Sequence, residues 1–74
     1  MSKLRILSGQ AVCRILSEHG FNEVRHRGSH ILLQKNLNGS TITVLVPDHS
    51  EIHIGTLQSI IRQSQLSRVL FQAW

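Results

Sequence analysis

Two short turn signals, Gly28-Ser29 and Asn38-Gly39-Ser40, lie one strand's length apart and impose most of what this chain can fold into. Glycine first in a two-residue loop suits a type II′ turn, whose backbone twist matches that of paired antiparallel strands. The flanking runs, Phe21 to Arg27 and His30 to Lys35, therefore read as the arms of a hairpin. After the second turn, Thr41–Val46 carries alternating β-branched residues and makes the clearest strand in the chain. Pro47 closes that strand, and Asp48-His49-Ser50 continues as a loop.

Helical spacing occupies the two ends. Ala11, Val12, Ile15 and Leu16 recur at i, i+3, i+4, with Leu7-Ser8 as a start signal and Ser8 able to cap free amides. His19-Gly20 ends this helix, because glycine accepts the left-handed conformation common after a helix C-terminus. A second pattern, Ile54 to Ser64, places Ile54, Leu57, Ile60 and Ile61 on one side. Each helix has a single apolar stripe, so both are expected on one face of a three-stranded antiparallel sheet, an α+β architecture of order α-β-β-β-α. The tail, residues 67–74, contains Val69, Leu70, Phe71 and Trp74 and is too apolar for a plain solvated end. It either docks as a final helical turn or strand, or meets a partner.

Strand parity sorts the side chains. If Gly28-Ser29 is the whole loop, Arg27 pairs with His30 and Arg25 with Leu32, and paired residues share a face. One face then carries Val24, His26, Ile31 and Leu33 against the helices, joined by Ile42, Val44 and Val46. The other carries Glu23, Arg25, Arg27, His30, Leu32 and Gln34, joined by Thr41, Thr43 and Leu45. This reading turns His30 outward among arginines and His26 inward, where it is structural.

Seventy-four residues are read as one domain, residues 1–74, with a core of about 8–66 and a thin hydrophobic interior. Eight Lys and Arg against four Asp and Glu give a formal charge of +4, which favours an acidic partner, nucleic acid before acidic protein. The single cysteine, Cys13, excludes an internal disulfide and a cysteine zinc site. No segment reaches membrane-spanning length and residues 1–7 lack a signal-peptide core, so the cytoplasm is the expected location. His49 and His53 would make a metal pair only on a shared helix, and their context is loop. No metal site and no cofactor are expected.

These motifs together resemble the HicA toxin family, small messenger-RNA interferases of toxin–antitoxin pairs. The matching pieces are Glu18-His19-Gly20-Phe21, then Arg27-Gly28-Ser29-His30, and a valine-rich strand ending at Pro47. Glu51-Ile52 and Gly55-Thr56-Leu57-Gln58-Ser59-Ile60-Ile61-Arg62-Gln63 follow, so the resemblance spans roughly residues 8 to 66. It implies a double-stranded-RNA-binding-domain-like fold, endoribonuclease activity on mRNA and a HicB-like antitoxin. It puts the catalytic histidine on His30 and the turn residues on Gly28 and Ser29. The chain departs from the family pattern at Ile31, where a second histidine is common, and at His53, where proline is common.

An imidazole can take a proton from a ribose 2′-hydroxyl, and Arg25 and Arg27, with the Gly28-Ser29 turn, are the expected RNA contacts. Considered without the family, His30 reads more readily as a surface histidine capping a tight turn, and the resemblance reverses that preference. Two other readings compete with the ribonuclease. One is a non-catalytic RNA-binding module, weakened because the second helix opens Gly55-Thr56-Leu57-Gln58 without a lysine cluster to grip phosphates. The other is a subunit whose basic surface only binds an acidic protein.

Overall fold

A computed structural model describes residues 3–72. The elements run α1 (Gly9–Glu18), β1 (Asn22–Arg27), β2 (His30–Leu37), β3 (Ser40–Pro47) and α2 (Ile54–Ser64), followed by a 3₁₀ turn, Arg68–Phe71. The strands form one antiparallel sheet in the order β1-β2-β3. The expected α-β-β-β-α order is therefore present, and the tail resolves into a helical turn.

Local chemistry accounts for the boundaries. Ser8 sits in extended conformation and its side chain accepts the Ala11 amide at 3.0 Å, satisfying one orphan donor of α1. His19 caps the other end and its Nδ1 lies 2.8 Å from the Ile15 carbonyl, after which Gly20 turns the chain at φ +96°. Gly28 takes φ +59° while Ser29 stays at negative φ, the combination a type II′ turn needs.

The core lies between the sheet and both helices. Val12 and Leu16 of α1 and Leu57 and Ile60 of α2 bury against Ile31, Leu33, Val44 and Val46. All four strand residues have the parity expected to face the helices. The opposite parity, His30, Leu32, Gln34, Thr43 and Leu45, is exposed or half-buried, so the other sheet face is uncovered. Phe71 from the 3₁₀ turn is fully buried, and Leu4 bridges to Gln72, so the segments around these residues close one side of the core. Trp74, grouped with this tail in the sequence, lies outside the described residues.

Three expectations are corrected. Val24, expected against the helices, is 50 % exposed: the register passes from Glu23↔Leu33 to Arg25↔Leu32, leaving Val24 unpaired in a β-bulge. The same extra residue reverses Glu23, which pairs with core-facing Leu33 rather than joining the arginines. Ile54 is 55 % exposed, because the buried stripe of α2 runs through Leu57, Ile60 and Ser64. Ser64 is tolerated there because its hydroxyl donates to the Ile61 carbonyl at 2.8 Å and accepts the Leu66 amide at 3.2 Å.

Gly9 sets the approach of α1 to the end of β3. A Cβ at this position would lie 2.2 Å from the Pro47 carbonyl oxygen and 2.9 Å from the Asp48 Cα, both backbone atoms. The Gly9 amide meanwhile donates to the His49 carbonyl at 2.8 Å. Helix propensity alone favours alanine over glycine by about 0.8–1 kcal/mol. The steric term opposes it and wins, because neither backbone can yield without moving an element. Gly9→Ala is expected to destabilise the protein by about 1–3 kcal/mol in chemical denaturation. A variant as stable as the parent would show that α1 does not rest on this contact.

Candidate functional site

His30 is the first residue of β2, the central strand, and it is exposed. Its neighbours across the sheet are Arg27 on β1 and Pro47 on β3. The next row on the same face is Arg25, Leu32 and Leu45. The outward parity of His30, Arg25 and Arg27 thus agrees with the sequence reading, despite the bulge one residue before Arg25. The bulge falls between the pairs Asn22–Gln34 and Glu23–Leu33 on one side and the basic rows on the other, so the rows beside the turn keep their register.

The row through His30 has a particular hydrogen-bond pattern. The Asp48 amide donates to the Ser29 carbonyl at 2.6 Å, so His30 and Pro47 form a non-hydrogen-bonded pair. Such pairs bring side chains closest, which sets the Pro47 ring beside the imidazole. Proline suits the position because its missing N–H would point away from the ladder on an edge strand. Gly28 and Ser29 stand at the rim immediately before His30, with open space around the Gly28 Cα.

Among the described residues, neither Arg25 nor Arg27 has a carboxylate within ion-pair distance. Their guanidinium groups are therefore available to an external anion, and each carries five donors in a planar fork suited to phosphate oxygens. Further along the face the surface turns polar and uncharged, with Gln34 donating to Thr43 at 3.4 Å and Thr41 to Asn36 at 3.4 Å. Leu45, 48 % exposed, and its half-buried partner Leu32 add an apolar element between the basic and amide rows.

His26 pairs with Ile31 and so takes the helix side of the sheet, as its parity implied. It is not packed, however: its side chain is 41 % exposed, since β1 is an edge strand with no buried residue. Its Nε2 lies 3.3 Å from the Asp48 carboxylate and its Nδ1 4.0 Å from Glu23. The two histidines are thus separated by the sheet. His49 lies in the loop after β3 and His53 caps α2, so the two share no helix. Among the described residues no group of three or more His, Cys, Asp or Glu is placed to hold a metal ion.

Cys13 is half-buried on α1 and packs against the core. Burial, aided by the negative charges of Glu23 and Asp48, pushes its thiol from 9.0 up to about 11. The thiolate is the reactive form, so alkylation at pH 8 should be roughly 100-fold slower in the folded protein than in denaturant. The elevation also makes folding favour the protonated thiol, so its contribution to stability is full below pH 9 and is lost as pH rises toward 11. Equal alkylation rates in the folded and unfolded protein would contradict both statements.

Asp48 is the residue sequence reasoning missed at this site. It read as plain loop, and its only local signal was its place directly after the proline that ends β3.

Among the described residues, a free histidine beside unpaired arginines, on a sheet face that no helix covers, defines a small basic α+β protein that presents its site on an open surface. A family model described as the HicA toxin of bacterial toxin–antitoxin systems matches residues 9–66, and the chain belongs to this HicA toxin family. A search of curated proteins found no match. The protein is therefore a toxin-family member of a toxin–antitoxin pair. No helix among the described residues is long and apolar enough to cross a membrane.

Proposed function

We propose that this protein is a metal-independent endoribonuclease that cleaves mRNA, with His30 as its general acid/base. The observation that carries the reading is the placement of His30 in register with Arg27, exposed on an uncovered basic face. Neutral imidazole takes the proton of a ribose 2′-hydroxyl, and the resulting oxygen attacks the adjacent phosphorus. The 5′-oxygen leaves with a proton from the imidazolium or from water, giving a 2′,3′-cyclic phosphate and a 5′-hydroxyl. Arg25 and Arg27 bind the phosphate and offset charge on its oxygens, while the Gly28-Ser29 turn lets the backbone of RNA come close.

The reading takes residues 1–74 as one domain working in the cytoplasm, where mRNA is accessible. The same open face explains how the toxin is silenced: a HicB-like antitoxin that covers His30 and both arginines denies RNA its site. A single acid/base group on an open surface makes for a slow nuclease, whose effect on growth comes from persistence.

The test compares wild type with His30→Ala on isolated RNA, with cyclic-phosphate ends as the readout, and on growth after induction. Loss of both activities supports the assignment. RNA binding without cleavage by either protein would leave the non-catalytic RNA-binding module as the better description.

A further inference from the structure

We propose that Asp48 is a positioning residue for His30, holding the Gly28-Ser29 turn in place from behind the sheet. The inference rests on the reading of His30 as the group that does the chemistry. Three separate parts of the fold converge on Asp48. Its backbone amide donates to the Ser29 carbonyl at 2.6 Å, one residue before His30. Its Oδ1 accepts the side-chain amide of Gln10, on the first turn of α1, at 3.0 Å. Its Oδ2 lies 3.3 Å from His26 Nε2, on β1.

The arrangement matters because His30, paired with Arg27 across the turn, stands at the open end of the sheet. It is exposed, starts its strand, and follows a turn whose glycine has open space where a side chain would stand. On the β3 side, His30 and Pro47 are a non-hydrogen-bonded pair and exchange no backbone bond. The bond from Asp48 to Ser29 is the last one between the two strands at this corner. The side-chain contacts keep that amide where it is. The Gln10 contact, with the close approach of Gly9 to Pro47 and Asp48, ties it to a helix seated on the core. The His26 contact ties it to the strand that enters the turn, and His26 pairs with Ile31, the residue after His30. The Asp48 carboxylate thus spans the end of the sheet from β3 to β1 on the helix side, while the imidazole of His30 stands on the open side.

Displacement of a reacting group by about 1 Å can cost as much as 10²-fold in rate. Loosening this corner should therefore act on turnover rather than on RNA binding, which the arginines carry. Asp48→Ala removes both side-chain contacts. Asp48→Asn retains an oxygen for Gln10 and an amide that can donate to a neutral His26 imidazole.

The experiment measures kcat and KM for RNA cleavage together with amide hydrogen exchange in wild type, Asp48→Ala and Asp48→Asn. For Asp48→Ala we expect a fall in kcat of about 10-fold with KM within about 2-fold, and Asp48→Asn should recover most of it. Exchange at His30 and Asp48 should quicken in the alanine variant while the core amides of Leu16 and Ile60 keep their protection. Unchanged exchange at the turn, or equal acceleration in turn and core, overturns the proposal. So does a loosened turn with unaltered kcat. If wild type cuts no RNA, the ribonuclease reading fails. The exchange pattern then still decides separately whether Asp48 holds the turn.

Discussion

Replacing His30 by alanine is expected to lower the rate of RNA cleavage by about 10²–10⁴-fold, the usual contribution of one acid/base group. The same substitution should leave the fold almost untouched. The His30 side chain is exposed, and its row is held by backbone bonds that alanine also makes. Surface replacements of this kind shift stability by no more than about 0.5 kcal/mol. The two readouts therefore separate: activity and growth inhibition disappear while the denaturation midpoint stays. RNA binding should persist, because Arg25 and Arg27 remain on the face. A His30→Ala protein that still cuts RNA and still arrests growth would refute the assignment. Among the described residues the only other strand histidine is His26, on the opposite face of the sheet.

The second large effect lies outside the family match. Phe71→Ala should cost about 3–5 kcal/mol, the range for truncating a buried aromatic side chain. Phe71 is fully buried, and its carbonyl accepts the Arg5 amide at 2.8 Å while Gln72 bridges to Leu4. A chain of this length has a total stability of roughly 4–11 kcal/mol, so the loss takes a large share of it. The family match stops at residue 66, yet the hydrophobic core does not. Urea denaturation measures the effect directly: a midpoint within error of wild type would mean that the 3₁₀ turn is an accessory and not part of the core. Removing the chain after residue 66 should be at least as damaging, since it also strips the partner of Leu4.

The two effects fall on opposite sides of what could be read in advance. His30, Arg25 and Arg27 were placed correctly by counting alternate residues outward from a two-residue turn, a rule that needs only local geometry. The apolar tail was visible as a composition anomaly, but three outcomes fitted it. Choosing among them required the position of residues 4 and 5, nearly the whole chain away. The error at Val24 has a similar origin. Alternation assumes one residue per step, and nothing in the run Asn22-Glu23-Val24-Arg25 announces the step where β1 accommodates an extra one. Its consequence was limited because the bulge lies on the far side of Arg25 from the turn.

The sequence by itself determined the element order, the Ser8 and Gly20 ends of the first helix, the type II′ turn and the outward parity of His30 with its arginines. These depend on backbone preferences and on spacings of a few residues, which each segment carries with it. Only the tertiary structure decided the bulge at Val24, the seat of Gly9 against Pro47, the docking of Phe71, and the convergence of Gln10, His26 and Ser29 on Asp48. Each of those joins residues that share no local pattern, and the free energy that selects them appears only once the helices and the sheet are packed together.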